Sequence, residues 1–458
     1  MHHPSKDAGP QPHQLRLGIP NHPFQLCNMP KTSFLYTLCM SSLSRIINVR
    51  PWGGEPRTIE LNGGVVSGVM PPVVSGGTPP GGGDGAEFDA RGAIILPAFT
   101  DAHVHLDSTR LGLPFRPHTS DGTLFGQIMN DRAHWRSAEA SVADRATTAL
   151  GMLIDSGVTR ARSYAQIDSD SGLERFKGVI SARETHRDSA RVEIIAFPQA
   201  GIVRDPGTAE LLDEALRAGA DVIGGIDPCG LDRDPVAHLD VVFALALKHG
   251  VGVDFHLHDG GELGLFTIDL IAERVRALGL QGNATISHAF ALGEVERDVA
   301  ARTLDVLAEL DIALTTIAPG GRPSLPIQEI AHRGIRLGLG QDGQRDYWSP
   351  FGSGDMLDRT WQLAFINNFR RDDLVEHSVA IATAGGASVM SGWSDTDSRN
   401  TMRLTGVEDR PGFAPGSPAD FVLVDGETVT STVMDRPAGR TVIHEGRIVR
   451  DSREEPLQ

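Results

Sequence analysis

From Ile94 onward the chain repeats one pattern eight times: a short run rich in β-branched residues, followed by an amphipathic segment. The runs are "AIILPAFTDAHVHL", "VTRARSY", "RVEIIAFPQ", "DVIGGID", "VGVDFHLH", "ATISHAF", "DIALTTIA" and "IRLGLGQD". Between them lie stretches such as "SVADRATTALGMLIDSG", "TAELLDEALRAGA", "VAHLDVVFALALKHG" and "TIDLIAERVRALGL", in which Leu, Ala and Val recur every three to four residues and glycine falls near the end as a stop. Strand–helix repeats in series predict an α/β fold, a TIM-like (β/α)8 barrel. An open doubly wound sheet is the competing arrangement, but no GxGxxG follows a first strand to favour it.

On either side of the repeats the pattern changes to short strands joined by Gly and Pro turns, as in "GSPADFVLVDGETV" and "GRTVIHEGRIVRD". The simplest packing brings both chain ends into one small β-sandwich. We therefore expect a β-sandwich built from residues 45–92 and 396–458, with the barrel over 93–395. Residues 1–44 read as a disordered extension, because "MHHPSKDAGPQPHQLRLGIPNHP" is polar and Pro-rich without periodicity. The following "TSFLYTLCMSSL" only faintly resembles a signal peptide, its apolar core being short and interrupted, and Met40 is a candidate natural start.

Charge excludes one class of partner. A formal net charge of −17 repels a phosphate backbone, so nucleic acid is not expected as a ligand. No apolar run approaches the roughly 18 residues that span a bilayer, which argues against a membrane protein. Cys27, Cys39 and Cys229 are too scattered for a disulfide framework or a cysteine-rich zinc site, and a reducing cytoplasm fits them best.

A barrel builds its active site at the C-terminal ends of its strands, so polar residues there carry the information. Strand one ends in His103 and His105, strand three in Gln199, strand five in His256 and His258 with Asp259 beyond, strand six in His288 and strand eight in Asp342. Residues two apart on a strand share a face, which sends His103 and His105 together into the barrel mouth. A lone histidine is usually an ordinary core or surface residue. Imidazoles converging from separate strands with one carboxylate are what a divalent zinc or iron ion requires. On strand five, alternation allows either His256 or His258 to be the ligand.

These residues also carry a resemblance. "LPAFTDAHVHLDST" is similar to the strand-one signature of the amidohydrolase superfamily. "GTLFGQI", "IIAFPQAGI", "ALRAGADVIGGID", "DFHLHD", "TISHAF" and "LGQDGQRDYWSPFGSGDML" follow in order and resemble its cytosine deaminase branch, over roughly residues 94–450. The resemblance implies one Fe2+ or Zn2+ ion per chain, held by His103, His105, His256 and Asp342. A single ion also fits the strand-four end "DVIGGIDPCG", which lacks the lysine that bridges binuclear sites. Asp342 would take the proton of the attacking water and His288 would hold and polarise that water. Gln199 would read the ring edge with its amide, Trp348 would close the pocket on a flat ring, and a homo-oligomer is implied.

The chain departs from the branch at several places. Where cytosine deaminases carry a proton-shuttling glutamate, three residues after the strand-five histidine, this chain has Asp259, one methylene shorter, with Glu262 as a second candidate. Gly343 replaces a second aspartate, a loss expected to remove charge and open space. Tyr164 stands where a histidine is expected and His258 adds an imidazole; both are expected to line the pocket. The reading is a hydrolytic deaminase of a nitrogen heterocycle such as a pyrimidine, isoguanine, a pterin or a triazine. An amidase using the same water is the second hypothesis and a non-catalytic scaffold the third.

Overall fold

The computed structural model describes residues 42–72, 85–390 and 410–453. The signal-like run up to residue 41, residues 1–41 of the expected extension and the boundary expected at 395/396 lie outside the described residues; the end of that extension is not disordered, because Leu43 opens a strand. Five strands precede the barrel: β1 (Leu43–Pro51), β2 (Arg57–Asn62), β3 (Val65–Met70), β4 (Ala86–Asp89) and β5 (Ile94–Pro97). The barrel strands are β6 (Phe99–Val104), β7 (Val158–Gln166), β8 (Arg191–Phe197), β9 (Val222–Ile226), β10 (Gly252–His256), β11 (Ala284–Ser287), β12 (Ala313–Thr316) and β13 (Leu337–Leu339). Three more follow: β14 (Phe421–Val424), β15 (Arg440–His444) and β16 (Arg447–Asp451).

β6 to β13 pair in sequence order, and every pair is parallel. The ring closes where β6 meets the end of β13: Val104 bridges Asp342, and Asp342 N donates to His103 O at 2.7 Å. Closure therefore runs directly through the residues expected to bind metal. The intervening helices form where the periodicity placed them. Ser141 caps the helix Val142–Asp155 by accepting from Asp144 N, and Asp234 caps Pro235–His249, which begins with proline and stops at Gly250 with φ 67°. Their apolar stripes pack with Val104, Phe255 and Ile286 into the main core around the barrel.

The inside of the barrel below the site is polar. Arg162 on β7 donates to Glu193 on β8 at 2.5 Å and to Asp254 on β10 at 3.0 Å, with all three side chains buried. Buried charge of this kind is tolerated because each partner satisfies another.

The chain ends meet as the pattern of short strands implied. The order β16-β15-β14-β5-β1-β2-β3, with β4 on β1, forms one structure in which β1 runs through both halves. Ile46, Ile59, Phe88, Phe421 and Ile443 are among its core residues. Ile94–Pro97, expected as the start of the barrel, belongs here instead, paired with β14 and β1. Continuous apolar character fits a strand buried on both faces in either unit, and only the pairing decides between them.

Candidate metal centre and cavity

Four residues from three strand ends converge at the barrel mouth. The ligand-type atoms of His103, His105, His256 and Asp342 all lie within 4.8 Å of one another. Asp342 Oδ1 is 3.5 Å from His103 Nε2 and 3.3 Å from His105 Nε2, and the Nε2 atoms of His105 and His256 are 3.2 Å apart. His103 is fixed from behind by Thr315 Oγ1, 3.3 Å from its Nδ1, while its buried Nε2 has no hydrogen-bond partner. Thr315 in turn donates to Ser287, which donates to Asp254. Such a chain behind a ligand sets its tautomer and ring orientation.

The donor set suits a cation. Burial pushes His103 down to about 4 and holds His256 and His288 well below the ordinary imidazole value, so all three are neutral at pH 7. His105 differs: burial lowers it, but the carboxylates of Asp342, Asp107 and Asp346 together raise it above the ordinary imidazole value. Imidazoles that burial holds neutral, one carboxylate and the unpartnered Nε2 of His103 fit a single divalent ion. His256, rather than His258, is the strand-five member of the cluster.

Backbone strain collects at the same place. His288 and Asp342 have φ of 66° and 62°, and Asp227, directly after β9, has φ 33°. Non-glycine residues rarely adopt the left-handed region, and its cost is borne where packing over-determines the position.

The cluster floors a cavity of about 1100 Å³, lined also by Gln199, His258, His288, Phe290, Trp348 and Trp361. Gln199, expected to offer both donor and acceptor, has its carbonyl oxygen engaged by Gln166 Nε2 at 3.1 Å, which leaves its amino group for a ligand. His258 lines the wall with Nδ1 2.7 Å from Asp227, a buried carboxylate. Burial lowers its pKa, but Asp227 outweighs burial and raises it.

Other expected residues lie elsewhere. Tyr164 is fully buried, its hydroxyl 2.8 Å from Ser287 and its ring 4.3 Å from that of His103, so it supports the ligands from below instead of facing the cavity. Asp259 turns toward the loop after β9, where its Oδ2 accepts from Gly230 N at 3.0 Å; burial and the neighbouring Asp227 raise it to about 6. Glu262 is exposed in the first turn of the helix Gly261–Leu278. Neither lines the cavity. Gly343 does not open space, because the buried carboxylate of Asp346 fills it.

Asp227 and Asp346 escaped sequence reasoning. Asp227 directly follows β9 in "GGID", a strand-end position at which a carboxylate is a candidate site residue. Asp346 reaches the cavity from a loop, where no periodicity assigns a direction.

Residues 119–450 match the amidohydrolase family. The crystal structure of N-isopropylammelide isopropylaminohydrolase from Burkholderia multivorans is 36% identical with a TM-score of 0.80, covering 90% of this chain and 99% of that one. The N-isopropylammelide isopropyl amidohydrolase of Pseudomonas sp. (strain ADP) is 26% identical over 370 residues, 79% of this chain and 87% of the relative. The fold is also that of 5-methylcytosine deaminase from Klebsiella pneumoniae, at 24% identity and a TM-score of 0.73, covering 90% of this chain and 99% of that one.

Proposed function

This chain belongs to the amidohydrolase family and is a hydrolase of carbon–nitrogen bonds other than peptide bonds, and we propose that it releases ammonia or an amine from a nitrogen heterocycle at one divalent metal ion. The observation that carries this reading is the meeting, at one cavity, of the four-residue cluster, His288, and His258 with Asp227 behind it. His103, His105, His256 and Asp342 would hold zinc or iron. The ion supplies a water acidic enough to ionise near neutral pH.

The protein's own groups divide the remaining work. Asp342 accepts a proton from the attacking water. His288, unpartnered at both ring nitrogens, orients that water against the ring carbon. As the C–O bond forms and the C–N bond breaks, the leaving nitrogen needs a proton, and His258, whose affinity for a proton Asp227 raises, is the donor on the cavity wall. This assigns to His258 the shuttle expected of Asp259, whose carboxylate faces away. Trp348 and Phe290 supply flat apolar walls, and Gln199 donates to an oxo group or ring nitrogen. The cavity volume lies just above the usual range for small-molecule pockets, which favours a ring bearing an alkylamino substituent over a bare pyrimidine.

The decisive experiment is an amine- and ammonia-release screen over pyrimidines, purines, pterins and alkylamino-triazines, with the Zn(II) and Fe(II) forms tested separately. The expected result is an oxo product plus free amine, abolished by a chelator and restored by metal. A metal-replete preparation that releases neither from the whole panel overturns the reading, and a carboxylic acid product would replace it with amide hydrolysis. No helix among the described residues is long and apolar enough to cross a membrane.

A further inference from the structure

We infer that Asp346 is a specificity residue of this same site, the acceptor for an N–H of the bound ring, and that position 343 is glycine in order to admit it. This rests on the proposed reaction and names the ligand chemistry the wall selects. A Cβ at 343 would lie 2.9 Å from Asp346 Cγ and closer still to its Oδ2. The φ of Gly343 lies outside the left-handed region, so the backbone would accept any residue; only space demands glycine. That space is beside the ligand Asp342, and Asp346 is itself a lining residue of the cavity.

The two oxygens of Asp346 are held differently. Oδ1 accepts from Trp348 N at 2.8 Å and from Ser349 N at 2.9 Å, which fixes the loop carrying Trp348. Oδ2 has one partner, Ser108 Oγ at 3.2 Å, and retains capacity as an acceptor. Gln199, which lines the same cavity, offers N–H groups, its carbonyl already accepting from Gln166. The cavity therefore presents both an acceptor and a donor. A ring with an N–H on one edge and an oxo group on another, a cyclic amide still carrying its exocyclic amine, satisfies both. A ring alkylated at that nitrogen offers Oδ2 no N–H and sets a methyl group against a buried carboxylate oxygen, the costly case.

Asp346→Asn separates this role from loop capping, because asparagine keeps the Oδ1 acceptor for Trp348 and Ser349 and can still donate to Ser108. Binding to the zinc-loaded protein is read by calorimetry and turnover by amine release, using oxo-triazines and oxo-pyrimidines with the ring nitrogen either free or methylated. The expected result is unchanged zinc content and melting temperature, a loss of about 100-fold in affinity and kcat/KM for the N–H rings, and little change for the methylated ones. Gly343→Ala should reproduce that loss, yet add nothing in an Asp346→Ser background, where the carboxylate is gone. Asp346→Asn that binds and turns over both ring types like the parent overturns the inference while the hydrolytic reading stands. N–H rings that bind the parent through Asp346 without being hydrolysed overturn the hydrolytic reading alone. Absence of binding by any ring overturns both.

Discussion

Two imidazoles two positions apart at one strand end are shifted in opposite directions. His256 is neutral because burial excludes charge, whereas His258 is raised because Asp227 stands 2.7 Å from its Nδ1 and outweighs burial. If His258 protonates the leaving group, His258→Asn should lower kcat by about 10²–10⁴-fold with metal content unchanged. Asp227→Asn keeps the acceptor for the backbone N–H groups of His258 and Asp259 but removes the charge, so its loss should be smaller, about 10–100-fold. Asp259→Asn should retain most activity. Steady-state kinetics beside metal analysis checks all three; parent-like kcat in Asp227→Asn would return the shuttle to an open question. The histidines themselves were legible because their spacing on strand ends is a local property. The partner that divides their roles was not, because Asp227 and His258 are 31 residues apart and meet only across paired strands.

At the scale of elements, periodicity located the eight barrel strands and their helices because amphipathic stripes must face a core wherever they fold. It did not distinguish β5 from a barrel strand, and it gave no warning of a buried histidine within a helix. His377, in Asp372–Ala380, is 5% exposed with Nε2 unpartnered, and burial pushes it down to about 4. The unfolded chain binds this proton near 6.5 and the folded one only near 4, so its contribution is intact above about 6.5 and is lost as pH falls through that window. His377→Leu should therefore flatten the acid dependence of stability, by up to about 3 kcal/mol between neutral pH and pH 4. Urea unfolding of parent and variant at several pH values tests this. Because metal ligands also protonate in acid, the difference between the two proteins is the quantity to read, and parallel curves would contradict the prediction.

Across the whole molecule, the terminal sheet also holds the cavity's rim. Arg440 on β15, 1% exposed, donates to both oxygens of Asp355 at 2.7 and 2.6 Å and to Ser156 O at 2.5 Å. Asp355 caps the helix Met356–Ile366, directly after the loop that bears Asp346 and Trp348. Arg440→Met would leave that carboxylate without its cation and should destabilise the fold by about 3 kcal/mol, measured by urea unfolding of the metal-loaded protein. Loosening of the rim should also raise KM more than it lowers kcat. An unchanged unfolding midpoint would show the contact to be dispensable. The repeating architecture, the joining of the two chain ends and the gathering of histidines at strand ends follow from the sequence alone, because hydrophobic period and position on a strand are local consequences of backbone geometry. The choice of His256 over His258 for the candidate metal cluster, the pairing of His258 with Asp227, the turning away of Asp259 and the filling of the space at Gly343 by Asp346 came only with the tertiary fold. Those outcomes depend on distances between segments far apart in the chain and on the direction of loops, which no local pattern encodes.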